Sequence, residues 1–192
     1  MTTMNRFAVM AAFSLLTIVS TQGAPALAAG EHSGGHGHGM AIGEAAEAAS
    51  ATRTVAVTMR DNFFEPESIK VAPGETIRFV VTNAGEFVHE FNIGTADMHR
   101  DHQKEMMMMM ENDVLLPDRI DMKAAARMQA KMGHGMHDDP NSVLLEPGKT
   151  GEVVWSFPAD SETTIEFGCN VPGHYEAGMV GKFHMGKTTH TH

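Results

Sequence analysis

The chain of 192 residues carries 12 histidines and 17 methionines but one cysteine, Cys169. His174 follows Cys169 after four residues and Met179 after four more, in the stretch CNVPGHYEAGM. A disulfide needs a second cysteine, so a lone one is an intermolecular link, a free thiol or a metal ligand. Thiolate and thioether sulfur are soft donors that suit Cu(I), whereas imidazole suits Cu(II). Two histidines, one thiolate and a weak axial thioether therefore serve both states with little rearrangement. Zinc accepts Cys and His as well, but a methionine partner favours copper. The second histidine must come from elsewhere in the core. His89 in FVHEFNIG fits, flanked by Phe87, Val88 and Phe91, which wall the position from water.

The elements that must position these residues read as strands. Cys169 ends TTIEFGC and Met179 opens MVGKFHMG, while Pro172 and Gly173 supply the turn that brings His174 back toward the sulfur. Pro172 has no N–H and limits hydrogen bonding near the thiolate. Further β-branched and aromatic runs are TVAVTMR, IRFVVTN, FVHEFNIG and GEVVWSF, with turn signals at Pro66 and Pro73-Gly74. About seven short strands with such turns predict an antiparallel β-sandwich.

With the ligand loop and strands in place, the chain resembles the cupredoxins, the small copper proteins that include plastocyanin, azurin and rusticyanin. The resemblance covers roughly residues 54–94 and 148–186, including FEPESIKVAPGETIRFVVTN, and the Cys-x4-His-x4-Met spacing is closer to the rusticyanin loop than to the shorter plastocyanin loop. It implies an all-β Greek-key sandwich and one type 1 copper held by His89, Cys169, His174 and Met179. It stops at Glu90, where plastocyanin and azurin carry an asparagine that ties the two ligand segments together. A carboxylate beside the ligands tunes a metal site and implies a perturbed, green centre.

Residues 1–28 read as a secretory signal: Arg6, an apolar run from Phe7 to Val19, and a small-residue cleavage site at Ala26-Leu27-Ala28. The apolar run is short for a membrane anchor. Export through such a signal implies the periplasm and no membrane span in the mature chain. The formal net charge of −10 becomes one unit more negative when Arg6 leaves with the signal. That excludes nucleic acid, which demands a basic face, and suits a cation or a basic partner. Residues 29–53 form a His/Gly-rich segment and linker, residues 54–186 the cupredoxin domain, and residues 187–192 a His-containing tail.

Residues 95–147 are too long for an ordinary loop and read as a Met/His-rich helical insertion over one end of the sandwich. Pro117 is the predicted start of one helix and Gly133 its stop, with Ile120, Ala124, Met128 and Met132 on one face. Core packing is the ordinary explanation for such spacing. It fits the run Met106, Met107, Met108, Met109, Met110 less well, because five consecutive residues point all round a helix. With Met98, His99, His102, His134, Met136 and His137, the run is a candidate for further copper, and a docking surface competes with that reading. His32, His36, His38 and Met40 form a second candidate. Cleavage after Ala29 would begin the chain at Gly30-Glu31-His32, and an amine with His in third place binds Cu(II) in a square plane.

A plain electron carrier needs neither the insertion nor the histidine-rich segment. The ensemble resembles the periplasmic copper-tolerance cupredoxins (CopI-like), which implies binding, buffering or assisted oxidation of copper, with a periplasmic redox or copper-handling protein as partner. Soluble periplasmic electron transfer is the alternative. An enzyme is not expected, because multicopper oxidases need further domains and His-x-His pairs. His36-Gly37-His38 lies in a glycine-rich tail.

Overall fold

The computed structural model describes residues 42–133 and 139–186. Ten strands and two α-helices occur among them: β1 (Glu44–Ala45), β2 (Arg53–Arg60), β3 (Phe63–Glu65), β4 (Ser68–Val71), β5 (Thr76–Asn83), β6 (His89–Gly94), α1 (Ala96–Glu111), α2 (Met122–Met132), β7 (Ser142–Leu145), β8 (Thr150–Ser156), β9 (Glu166–Gly168) and β10 (Val180–Met185). They form two five-stranded sheets, ordered β1-β8-β5-β2-β3 and β4-β10-β9-β6-β7. No helix among the described residues is long and apolar enough to cross a membrane.

Period-two patterning builds the sandwich. In β5, Ile77, Phe79, Val81 and Asn83 are buried and alternate with half-buried residues. Phe64, Phe91, Phe167 and Phe183 meet them from the other elements. Phe167 lies 5.1 Å from Phe64, 5.4 Å from Phe91 and 5.0 Å from Phe183, centroid to centroid. Each such ring contributes about 1.5–3 kcal/mol through burial. Trp155 in β8 donates from Nε1 to the Ile42 carbonyl at 2.8 Å, which anchors the start of the described chain beside β1.

The sheets are mixed where the patterning predicts only antiparallel pairs. β2 runs parallel to β5, and β4 parallel to β10. The cause is the corner at residues 61–75. β3 stays with β2, β4 joins the other sheet, and the chain re-enters the first sheet at β5 in the direction of β2. Alternation reports which face a residue occupies, not which neighbour it pairs with, so this turn of topology left no mark. The extra strands are β1, the division of residues 63–71 into β3 and β4, and β7, which lies within the stretch read as insertion.

β6 is buried along its whole length. Its inward residues Phe91 and Ile93 join the main core, whereas Val88, just before the strand, joins a second core with Met106, Met109, Val114, Leu115, Ala124, Ala125 and Met128. The helical insertion therefore packs on the outer face of this sheet, not merely at one end of the sandwich. Thr95 caps α1 by accepting from the Met98 N–H. α2 begins at Met122, not at Pro117, because Asp121 accepts from both the Lys123 and Ala124 N–H groups. Pro117 serves elsewhere: its carbonyl accepts from the Val88 N–H at 2.7 Å. Gly133 ends α2 in the left-handed conformation, φ 70°. Of the methionine run, Met106 and Met109 are buried, Met108 is partly buried, and Met107 and Met110 are exposed.

Candidate metal centre

His89 opens β6, and Cys169 follows the last residue of β9. The loop that returns to β10 is closed at its neck by the Cys169 N–H donating to the Met179 carbonyl at 3.1 Å. Inside it, the Met179 N–H donates to the His174 carbonyl (3.0 Å) and the His174 N–H to the Val171 carbonyl (2.9 Å). These bonds satisfy the backbone of a short loop and hold three side chains on a fixed frame. His89 Nδ1 lies 3.8 Å from Cys169 Sγ, His174 Nδ1 lies 3.4 Å from that sulfur, and the two nitrogens are 3.2 Å apart. His89, Cys169 and Met179 are fully buried, while His174 is partly exposed. Met179 shares the main core with Cys169.

Hydrogen bonding orients the first histidine. His89 Nε2 faces Asp61 Oδ1 at 2.8 Å. A carboxylate only accepts, so Nε2 carries the proton and the Nδ1 lone pair points toward Cys169 and His174. Burial raises the Asp61 pKa, but hydrogen bonds from His89 and the Glu86 N–H outweigh it and hold the carboxyl below its ordinary range. Burial lowers the His89 pKa against the pull of Asp61, and lowers that of His174, with the nearby His89 adding to the effect. Both rings are therefore neutral near pH 7 and have lone pairs to give. Burial pushes the Cys169 thiol up to about 12, although the Glu90 N–H donates to its sulfur at 3.3 Å. Without a cation the sulfur keeps its proton; a bound cation would displace it.

This donor set fits a copper ion. Donors held at roughly 2.0–2.3 Å from one ion stand about 3–4 Å apart, which is the spacing observed. Two neutral imidazoles and a buried thiol suit copper in both oxidation states, and Met179 is buried in the same core as Cys169. Among the described residues, His89, Cys169 and His174 form the one group of three His, Cys, Asp or Glu donors close enough to share an ion.

The surroundings explain why the site keeps its shape. Asn83 donates from Nδ2 to the Phe87 and Leu145 carbonyls and accepts from the Gly85 N–H, so it ties down the turn before His89. Gly85 is required there, since a Cβ would lie 2.3 Å from Asp61 Oδ1 and 2.8 Å from His89 Nε2. Glu90 is buried, and its Oε2 accepts from the Asn170 N–H (3.3 Å) and Nδ2 (2.8 Å). It thus links the segment of His89 to that of Cys169, the task expected of an asparagine in the related proteins. Asp61 and Asn83 carried no sequence signal as partners of the site. Asp61 sits in the turn between β2 and β3, and only the folded topology brings it to His89.

The other candidate residues are dispersed. His32, His36, His38, Met40, His134, Met136 and His137 lie outside the described residues. Met98 packs against the main core. His99 is fully buried 5.4 Å from the Tyr175 ring, and burial lowers its pKa. His102 faces Glu90 and Glu105. Met106 and Met109 are core residues of the insertion.

A family model described as a cupredoxin-like domain matches residues 37–101. The copper-resistant cuproprotein CopI of Pseudomonas aeruginosa is 47% identical over 155 residues, spanning 76% of this chain and 82% of that protein. The CopI of Rubrivivax gelatinosus is 40% identical over 154 residues, 79% of this chain and 78% of that one. Among solved structures, auracyanin B shares the fold with a TM-score of 0.50 and 21% identity, covering 76% of this chain and 96% of that chain. With the sandwich, the converging donors and relatives of this identity over most of its length, the chain belongs to the copper-resistant cuproprotein CopI family of cupredoxins.

Proposed function

We propose that this protein binds a type 1 copper through His89, Cys169, His174 and Met179 and acts in copper tolerance by binding and buffering the metal in the periplasm. The convergence of two imidazole nitrogens on a buried thiol carries this reading. When bound, copper supplies one-electron redox chemistry and a soft acceptor for sulfur. The chain supplies the rest. Asp61 holds His89 in the tautomer that offers Nδ1, Glu90 and Asn170 fix the loop, and the aromatic core excludes water. Residues 1–28 act as the export signal in this reading. α1 and α2 pack on the outer face of the sheet that carries the site.

The test is growth of a deletion strain on graded copper, complemented with the wild-type gene or with Cys169→Ser. Wild type restores growth and the variant does not. Equal rescue by both would place tolerance outside this centre. One observation favours the second reading, soluble electron transfer. The partly exposed His174 borders an apolar depression of about 260 Å³ formed with Phe87, Met110, Leu116, Pro117 and Pro172. It suits a redox partner, including one that assists Cu(I) oxidation. Unchanged copper tolerance with impaired respiration in the deletion strain would favour that reading.

A further inference from the structure

Glu90 is a buried carboxylate at the join between the two halves of the centre, and its ion-pair partner comes from the insertion. His102 of α1 places Nε2 2.9 Å from Glu90 Oε1 and Nδ1 3.2 Å from Glu105 Oε2. Both ring nitrogens face carboxylates, which only accept, so both must donate. A ring in this state has no lone pair for a metal. Its positive charge is the compensation that a buried carboxylate requires.

The chain of contacts then runs straight to the sulfur. The second Glu90 oxygen accepts from the Asn170 N–H and Nδ2, and Asn170 follows Cys169. The Glu90 N–H donates to Cys169 Sγ, and Glu90 itself follows His89. Hydrogen bonding around the cysteine sulfur is one of the features that tune such a centre.

We propose that His102 is a positioning residue for the copper centre: as an imidazolium it holds the Glu90 carboxylate where it fixes Asn170 and keeps the Glu90 N–H on the Cys169 sulfur. The inserted helix is thereby part of the centre without donating a ligand to it. This inference rests on the proposed ligand set and deepens it. It also gives His102 a role other than the additional copper site that its sequence neighbourhood suggests.

The test compares full-length mature wild type, His102→Ala and His102→Gln, loaded with Cu(II). It reads copper stoichiometry, the sulfur-to-copper visible bands, the reduction potential and the affinity by chelator competition. Glutamine keeps one N–H donor for Glu90, so it carries the test if the alanine variant fails to fold. The expected result is unchanged stoichiometry in all three proteins. His102→Ala shifts the ratio of the visible bands and the potential, and weakens affinity about tenfold to a hundredfold. His102→Gln lies between it and wild type. Bands and potential identical to wild type in both variants would overturn the inference, as would loss of a copper equivalent, which would make His102 a ligand. Absence of any visible band in wild type would instead overturn the ligand set itself.

Discussion

Raising the pH should strip the metal-free protein of a defined part of its stability through His102. Burial alone would lower the pKa of this ring, but the hydrogen bond and charge of Glu90 outweigh it and raise it to about 9, against 6.5 for the unperturbed group. A group whose folded pKa is raised stabilises the fold fully below its unfolded pKa and loses that contribution as pH climbs through the folded value. The window is therefore from 6.5 to about 9. At roughly 1.4 kcal/mol per pH unit, the loss between about pH 7 and pH 10 is on the order of 2–3 kcal/mol. The side chain is only 17% exposed, so solvent screens the pair little. His89, His99 and His174 have lowered pKa values and titrate on the acid side of this window. The assay is urea unfolding of the reduced, metal-free protein across this range, wild type beside His102→Gln. Wild type should lose about 2–3 kcal/mol more than the variant as pH rises. Parallel stability curves would refute the ion pair as drawn.

Three further outcomes follow from the same contacts. Asp61→Ala removes the acceptor that sets the His89 tautomer and should weaken copper binding about tenfold to a hundredfold in chelator competition, with little change in copper stoichiometry. Gly85→Ala drives a methyl group into Asp61 and His89 and should cost about 1–3 kcal/mol in urea unfolding, together with a shift in the visible spectrum. Trp155→Phe loses the bond to the Ile42 carbonyl and should cost about 0.5–1.5 kcal/mol, leaving the copper spectrum unchanged.

What could be read in advance was local. Cys169 and His174 lie on one short loop whose turn at Pro172-Gly173 signals the return of His174 toward the sulfur, and the two stand 3.4 Å apart. His89 could be singled out because the Cys169 loop lacks a second imidazole and FVHEFNIG offers one in a core strand, although Phe87, expected to wall it from water, is exposed. The sandwich was legible because alternation of apolar residues survives in β5 and β8. Asp61 was not legible, since its contact with His89 depends on a turn at the far end of another strand. The role of His102 depends on the outer face of β6, which could not be known to face α1 before the insertion was seen to pack there. α2 starts at Met122 and not at Pro117 because proline at a helix start is a tendency, whereas the paired hydrogen bonds of Asp121 are a definite stabilisation. The methionine run divides as helical geometry demands, with Met106 and Met109 inward and Met107 and Met110 outward.

The most direct measurement is a copper titration of the purified mature protein, first with Cu(II) and then with Cu(I) under anaerobic conditions. Metal stoichiometry is read beside the visible charge-transfer band, with Cys169→Ser in parallel. An intense band that saturates at a single copper equivalent in wild type and is absent from Cys169→Ser is the result expected of a thiolate-bound centre built on His89, Cys169 and His174. No band in wild type, or the same band in Cys169→Ser, would contradict it.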